Sequence, residues 1–202
     1  MAALQRTAAE RLVSFAPVLE PLSRRFEAAG HELALVGGLV RDSLLERLPE
    51  GQDATDLDLA TDARPDQILA VIEGWADTQW DIGRDFGTIG MRKGAFTIEI
   101  TTYRSDVYDP TSRKPTVRFG DSLEADLARR DLTVNAMAVR LPHLDFVDPH
   151  GGVHDLTRGL LRTPIDPRIS FGDDPLRMLR AARFTSQLGF AVAPRVAEAM
   201  AD

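Results

Sequence analysis

Leu33-Ala34-Leu35-Val36-Gly37-Gly38-Leu39-Val40-Arg41-Asp42 runs from four apolar residues through paired glycines into a segment with helical spacing. A short apolar run closed by glycine reads as a buried strand, and the glycines leave backbone N–H groups unobstructed toward an anion. Eighteen residues beyond Gly38, Thr55-Asp56-Leu57-Asp58-Leu59-Ala60-Thr61 alternates polar and apolar positions, the period of a strand with one buried face. Side chains two apart on a strand share a face at roughly 6.5–7 Å spacing, so Asp56 and Asp58 point together while Leu57 and Leu59 enter the core. A glycine turn and two carboxylates are thereby placed where one metal-bound nucleotide touches both.

Adjacent carboxylates repel unless a cation lies between them, and Mg²⁺ held by carboxylates plus phosphate oxygens is the usual answer. In Phe96-Thr97-Ile98-Glu99-Ile100-Thr101 a third acid, Glu99, alternates with inward Ile98 and Ile100 on a neighbouring strand. Three such acids suit two metals about 3.5–4 Å apart, one activating an attacking hydroxyl and one steadying a leaving phosphate. Arg41 adds a charge-assisted contact to the same phosphates. Either motif by itself is more often an ordinary turn or a solvated strand edge; their order and separation carry the weight.

The 202 residues, 22.2 kDa and 44% hydrophobic content suffice for one domain and the beginning of another. No apolar run approaches the roughly 20 residues that span a bilayer, and Met1–Arg6 lacks a signal-peptide pattern, so cytoplasmic residence is expected. The absence of cysteine excludes disulfides, thiolate metal sites and cysteine nucleophiles. A net charge of −7 argues against nucleic-acid binding by bulk electrostatics, so an RNA substrate needs a local basic face. The candidates are Arg113-Lys114 with Arg118, Arg129-Arg130, and the series Arg177, Arg180, Arg183. Trp75 and Trp80 are expected to be packing residues rather than base-stacking platforms.

Residues 7–29 read as helical, broken near Pro17 and Pro21, and helices are expected near 39–48 and 65–76. Strands 88–92 and 96–103 form a hairpin through Lys93-Gly94, and the polar run 104–120 reads as a surface loop. Ser122 opens a helix reaching Arg129-Arg130-Asp131, strands follow over 134–141 and 144–147, and helices over 155–161, 174–188 and 194–201. The expected architecture is a mixed α and β head, then the stub of a helical domain.

With Arg129-Arg130-Asp131-Leu132-Thr133-Val134-Asn135-Ala136 and Asp173-Asp174-Pro175-Leu176-Arg177-Met178-Leu179-Arg180, the chain resembles class II tRNA nucleotidyltransferases, the CCA-adding enzymes and their bacterial poly(A) polymerase relatives. Four motifs fall in the family's order from Leu33 to about Ala199. The resemblance implies an α+β, polymerase-beta-like nucleotidyltransferase head over 1–152 with a mixed sheet flanked by helices. Residues 153–202 are then the hinge and beginning of an all-α neck. It implies addition of CMP and AMP from CTP and ATP to a tRNA 3′ end, with Mg²⁺ as cofactor. Asp56 and Asp58 would be metal ligands, catalytic together with Glu99. Gly37, Gly38, Arg41, Arg129, Arg130, Asp131, Asn135, Asp174, Arg177 and Arg180 would hold the nucleotide, with Asp131 accepting from a ribose hydroxyl. Residues 104–120 correspond to the family's flexible loop. Poly(A) synthesis, or addition of CC or A alone, is the nearest rival; a noncatalytic nucleotide-binding module is the rival from another class.

Asp174 and Arg177 are three apart and would be neighbours on a helix face. An ionised Asp only accepts and an Arg only donates. Together they suit the exocyclic amine and adjacent ring nitrogen of cytosine or adenine. Uracil or guanine would leave a desolvated acceptor unpaired, at a cost of about 1–3 kcal/mol. Without a ligand the same pair reads as an intrahelical ion pair worth about 0.3–0.5 kcal/mol. The family often has Glu-Asp where this chain has Asp173-Asp174, which leaves Asp173 without an assigned role.

Overall fold

A computed structural model describes residues 2–48, 56–104, 119–120 and 122–201. The chain forms helices α1 (Ala2–Leu12) and α2 (Ala16–Ala28), strand β1 (Leu33–Val36), helix α3 (Gly38–Leu44), strand β2 (Asp56–Thr61) and helix α4 (Pro65–Ile72). Strands β3 (Thr78–Trp80), β4 (Thr88–Lys93) and β5 (Phe96–Thr102), helix α5 (Leu123–Ala128) and strands β6 (Ala138–Leu141) and β7 (Asp145–Val147) follow. The remainder is helix α6 (Gly152–Thr157), strand β8 (Leu160–Leu161), helices α7 (Pro167–Asp173) and α8 (Leu176–Leu188), strand β9 (Ala191–Val192) and helix α9 (Pro194–Ala201).

The expected mixed sheet is present, in the order β3-β4-β5-β2-β1-β6-β7. Its pairings are antiparallel except β2 with β5, which run parallel and set Asp56 against Thr97 and Asp58 against Glu99. Leu57 and Leu59, each 1% exposed, turn to the opposite face. There Leu12, Leu22 and Phe26 of the N-terminal helices and Ile68 and Ile72 of α4 bury Leu35, Ile89, Ile98 and Ile100. On the acid-bearing face, Leu123 and Leu127 of α5 cover Ala34, Val36, Ala60 and Ala138. Toward β3 the same face carries the exposed Glu99 and the half-buried Thr88, Thr97 and Trp80.

Several boundaries depart from expectation for local reasons. Pro21 lies inside α2 without ending it, because burial of Val18, Leu19, Leu22 and Phe26 outweighs the roughly 3 kcal/mol propensity cost of an interior proline. Helix α6 stops at Thr157 because Gly159 takes φ +61°, and Leu160–Leu161 then pairs with β9 instead of continuing the helix. Residues 133–135 form a 3₁₀ turn rather than strand, since Thr133 Oγ1 donates to Asp155 Oδ2 at 2.6 Å and Asn135 Nδ2 donates to Asp131 at 3.1 Å. Pro175 delays the start of the expected helix over 174–188 to Leu176. It holds Asp174 extended at φ −148°, so α7 ends before it and α8 starts at Leu176.

Ala181, Phe184 and Leu188 of α8 share one buried cluster with the sheet and the N-terminal helices, so the core continues through residue 152. No helix among the described residues is long and apolar enough to cross a membrane. The expected loop over 104–120 and the Arg113, Lys114, Arg118 cluster fall mainly outside the described residues.

Candidate active site

The glycine turn sits between opposite charges. Gly37 has φ 74° and ψ −135°, and a Cβ there would lie 3.5 Å from Arg130 Nη1 and 3.6 Å from Asp58 Oδ2. Only glycine holds this backbone without strain. Gly37→Ala is expected to cost about 1–3 kcal/mol, lowering Tm by about 2–4 °C for each kcal/mol and weakening nucleotide affinity. Thermal melts alongside a CTP titration would check both effects.

Asp58 and Glu99 stand side by side across the β2–β5 pairing. Burial pushes the Asp58 carboxyl above the ordinary range, Arg130 offsets only part of this, and Asp56 raises it further. Glu99, although exposed, is pushed up by partial desolvation against the sheet, then by Asp58 and Asp56. Asp58 and Glu99 thus each feel the neighbouring acids. Among the described residues no three acidic, histidine or cysteine side chains form a ready metal cage. An open, all-oxygen set fits a hard cation that retains water and completes its shell with phosphate oxygens.

Beside Asp58 opens a cleft of about 630 Å³. All ten residues expected to hold a nucleotide line it: Gly37, Gly38, Arg41, Arg129, Arg130, Asp131, Asn135, Asp174, Arg177 and Arg180. Asp56 and Glu99 are not in its lining. Seven arginines (41, 104, 129, 130, 177, 180, 183) face three aspartates (58, 131, 174) in that lining, so a chain of net charge −7 carries a basic cavity. Two of the three basic clusters read from the sequence meet here.

Most of these cations are braced. Asp126, 1% exposed, accepts from Arg129 Nη2 at 2.6 Å, Arg130 Nη2 at 3.2 Å and the Arg104 backbone N–H at 3.2 Å. Burial alone would raise its carboxyl, but Arg130, Arg129 and these hydrogen bonds bring it below the ordinary range. Arg130 Nε is buried with no hydrogen-bond partner among the described residues, a donor available to an anion. Asp42, Arg41, Asn135, Asp131 and Arg180 form a chain. Arg41 forks onto Asp42 at 2.8 and 2.9 Å and donates to Asn135 Oδ1 at 2.7 Å. Asn135 Nδ2 and Arg180 Nε donate to Asp131 at 3.1 and 2.7 Å. Arg41, expected at the phosphates, lines the cleft and ties α3 to Asn135. Beneath the chain, the Phe184 ring lies 5.2, 5.9 and 4.8 Å from the guanidinium carbons of Arg41, Arg180 and Arg183.

Asp174 and Arg177 both line the cleft but are not joined on a helix face. Asp174 Oδ1 accepts from the Leu176 N–H at 3.0 Å, opening α8. Arg177, 6% exposed, donates to Ser170 Oγ at 2.9 Å and to the Arg129 carbonyl at 2.6 Å. Asp126, Phe184 and Gln187 were not singled out from the sequence. Asp126 sits four residues after the helix cap Ser122, where an acid reads equally well as a solvated first-turn residue.

Residues 33–162 match the poly A polymerase head domain, a span that holds the glycine turn, the three acids, and Arg129 through Asn135. The chain belongs to the poly A polymerase head domain family. The chain is 42% identical over 182 residues to the CCA-adding enzyme of Bacillus subtilis, covering 90% of this chain and 43% of that protein. Among solved structures, the Bacillus stearothermophilus CCA-adding enzyme in complex with CTP is 36% identical with TM-score 0.75, covering 89% of this chain and 41% of that one. A tRNA nucleotidyltransferase complexed with a primer tRNA and an incoming ATP analog is 27% identical with TM-score 0.71, over 89% of this chain and 48% of that one. The chain thus spans less than half the length of the relatives it matches.

Proposed function

We propose that this chain carries the catalytic head and the beginning of the neck of an enzyme that adds CMP and AMP, from CTP and ATP, to the 3′ end of tRNA. Residues 1–152 are the head, and 153–202 the hinge and first neck helices. At that proposed boundary the Asp148 carboxylate accepts from the Gly152 and Val153 N–H groups at 2.6 and 3.0 Å, which supports a hinge there. The observation that carries the function is the basic cleft: an arginine-lined cavity of nucleotide size, with the glycine turn and Asp58 on its wall. The resemblance to CCA-adding enzymes, one of them solved with CTP, supports the choice of substrates.

Asp56 and Asp58 would hold Mg²⁺, which when bound supplies activation of the attacking hydroxyl and neutralises charge on the leaving pyrophosphate. The Gly37-Gly38 turn and Arg130 hold the triphosphate, with the unpartnered Arg130 Nε as one phosphate donor. Asp131 uses three acceptor positions on Leu132, Asn135 and Arg180, leaving capacity for a ribose hydroxyl. The terminal hydroxyl of the RNA attacks the α-phosphorus and the bond to the pyrophosphate oxygen breaks, while Glu99, paired with Asp58 across β2 and β5, would support the metal site or take the proton of the incoming hydroxyl.

Asp174 and Arg177 select the base, Arg177 pre-aimed by Ser170 and the Arg129 carbonyl. Asp174→Ala is expected to reduce the preference for C and A over U by about ten-fold, from the roughly 1–3 kcal/mol cost of an unpaired polar group. Comparing kcat/KM for CTP, ATP and UTP checks it.

The function is tested with tRNA transcripts lacking one, two or three terminal nucleotides, incubated with Mg²⁺, CTP and ATP. Addition that completes CCA and stops is expected. Repeated A addition beyond that point, or no Mg²⁺-dependent addition, overturns the assignment.

A further inference from the structure

The strand register places a fourth side chain beside the acids. Trp80 on β3 pairs with Gly90 on β4, Gly90 with Glu99 on β5, and Glu99 with Asp58 on β2. Residues paired in this way project from the same face, so all four form one row. A Cβ at Gly90 would lie 2.0 Å from Trp80 Nε1 and 2.1 Å from its Cε2. The indole therefore occupies the space that any side chain at position 90 would fill, immediately next to Glu99. Gly90 beneath it is buried, Trp80 itself only half-buried, and β3 is the edge strand.

The row has a direction. Gly37 and Arg130 flank Asp58 on one side, where the proposed function puts the triphosphate; Glu99, Gly90 and Trp80 extend on the other. Phosphoryl transfer places attacking and leaving oxygens roughly in line on opposite sides of the phosphorus. With the leaving pyrophosphate on the glycine-turn side, the attacking hydroxyl arrives from the side of Glu99 and Trp80. Carboxylates repel an RNA backbone there, whereas a neutral aromatic surface holds a base. Single-stranded RNA ends are bound largely by such stacking, with little dependence on base identity.

We propose that Trp80 is the stacking platform for the base at the 3′ end of the RNA acceptor, a positioning residue that sets its hydroxyl against Asp58 and Glu99. The assignment rests on the nucleotidyl-transfer function above, but its test separates the two. Trp75 and Trp80 are the two tryptophans, so Trp75→Phe makes Trp80 the sole indole fluorophore. Titrating that variant with a short oligoribonucleotide ending in CC is expected to quench Trp80 fluorescence saturably.

In the wild-type background, Trp80→Leu is expected to raise KM for the oligonucleotide by about ten-fold, within the range of one lost stacking contact, while KM for ATP stays within about two-fold. Trp80→Phe should restore most of the loss. Gly90→Ala, which keeps the indole but displaces it from its seat, should reproduce the Trp80→Leu effect. An unchanged oligonucleotide KM in Trp80→Leu, an equal loss for both substrates, or an absent quench overturns the proposal. Failure of the unmodified chain to incorporate any nucleotide would strike the function instead, and the quench titration would still decide Trp80.

Discussion

Asp58→Ala is expected to lower nucleotide incorporation by about 1,000-fold or more. A metal ligand at a transferring phosphoryl group is worth several kcal/mol, and about 4 kcal/mol corresponds to that factor. The arginines of the cleft remain, so CTP binding measured without metal should fall far less than turnover. Single-turnover incorporation with saturating CTP and Mg²⁺ separates the two, and incorporation within ten-fold of the parent protein would refute the ligand assignment. Asp58→Asn sharpens the test through stability. Because the folded protein holds the Asp58 carboxyl above its unfolded value, chiefly by burial, the native state binds the proton more tightly and loses stability as pH rises through that interval. At neutral pH the ionised group is thus a burden in the metal-free protein. Asparagine removes it, so Asp58→Asn should melt higher than the parent without metal while being inactive. Added Mg²⁺ should raise the Tm of the parent and not of the variant.

The acid-bearing face was legible in the sequence because strand periodicity is local: alternation at 56–60 and 97–101 already fixes which side chains share a face. The glycine turn was legible because few other backbones need paired glycines between an apolar strand and a helix. What the sequence withheld depends on register and on long-range partners. The parallel β2–β5 pairing that sets Asp58 against Glu99 joins strands separated by a helix and a hairpin, and no local pattern states it. Trp80 reads as an ordinary aromatic until β3 is seen at the sheet edge with Gly90 beneath it. The bonds from Arg41 to Asp42 and to Asn135, the latter 94 residues away, are likewise stated by no local pattern. The helix at Pro167 did carry a local signal, since Asp166 accepts from the Arg168 N–H at 2.9 Å and proline occupies the first turn.

Asp126→Ala is expected to be the most destabilising single change near the site. One buried carboxylate here holds two adjacent guanidinium groups, only 19% and 22% exposed, and a backbone N–H. Removing one partner of a buried ion pair costs about 3–5 kcal/mol, because the remaining charge stays desolvated without its counter-charge. At about 2–4 °C per kcal/mol for a chain of this size, Tm should fall by roughly 6–20 °C. A variant melting within 2 °C of the parent would show that water replaces the carboxylate at little cost. The acid limb of stability carries the same information. Although burial alone would raise the Asp126 carboxyl, Arg130 and Arg129 hold it below its unfolded value. Its contribution is therefore complete above the unfolded carboxylate range and is lost as pH falls through the depressed value. Asp126→Asn keeps an acceptor oxygen but no charge, so its Tm should change less with pH over that acidic interval than the parent's. The functional consequence follows from geometry: Arg130 Nη1 faces Gly37 and Asp58, so releasing Arg130 from Asp126 should weaken CTP binding even where the fold survives. If Asp126→Asn flattens the acid limb yet leaves CTP affinity intact, Asp126 acts on stability alone and Arg130 finds its aim from the phosphates themselves.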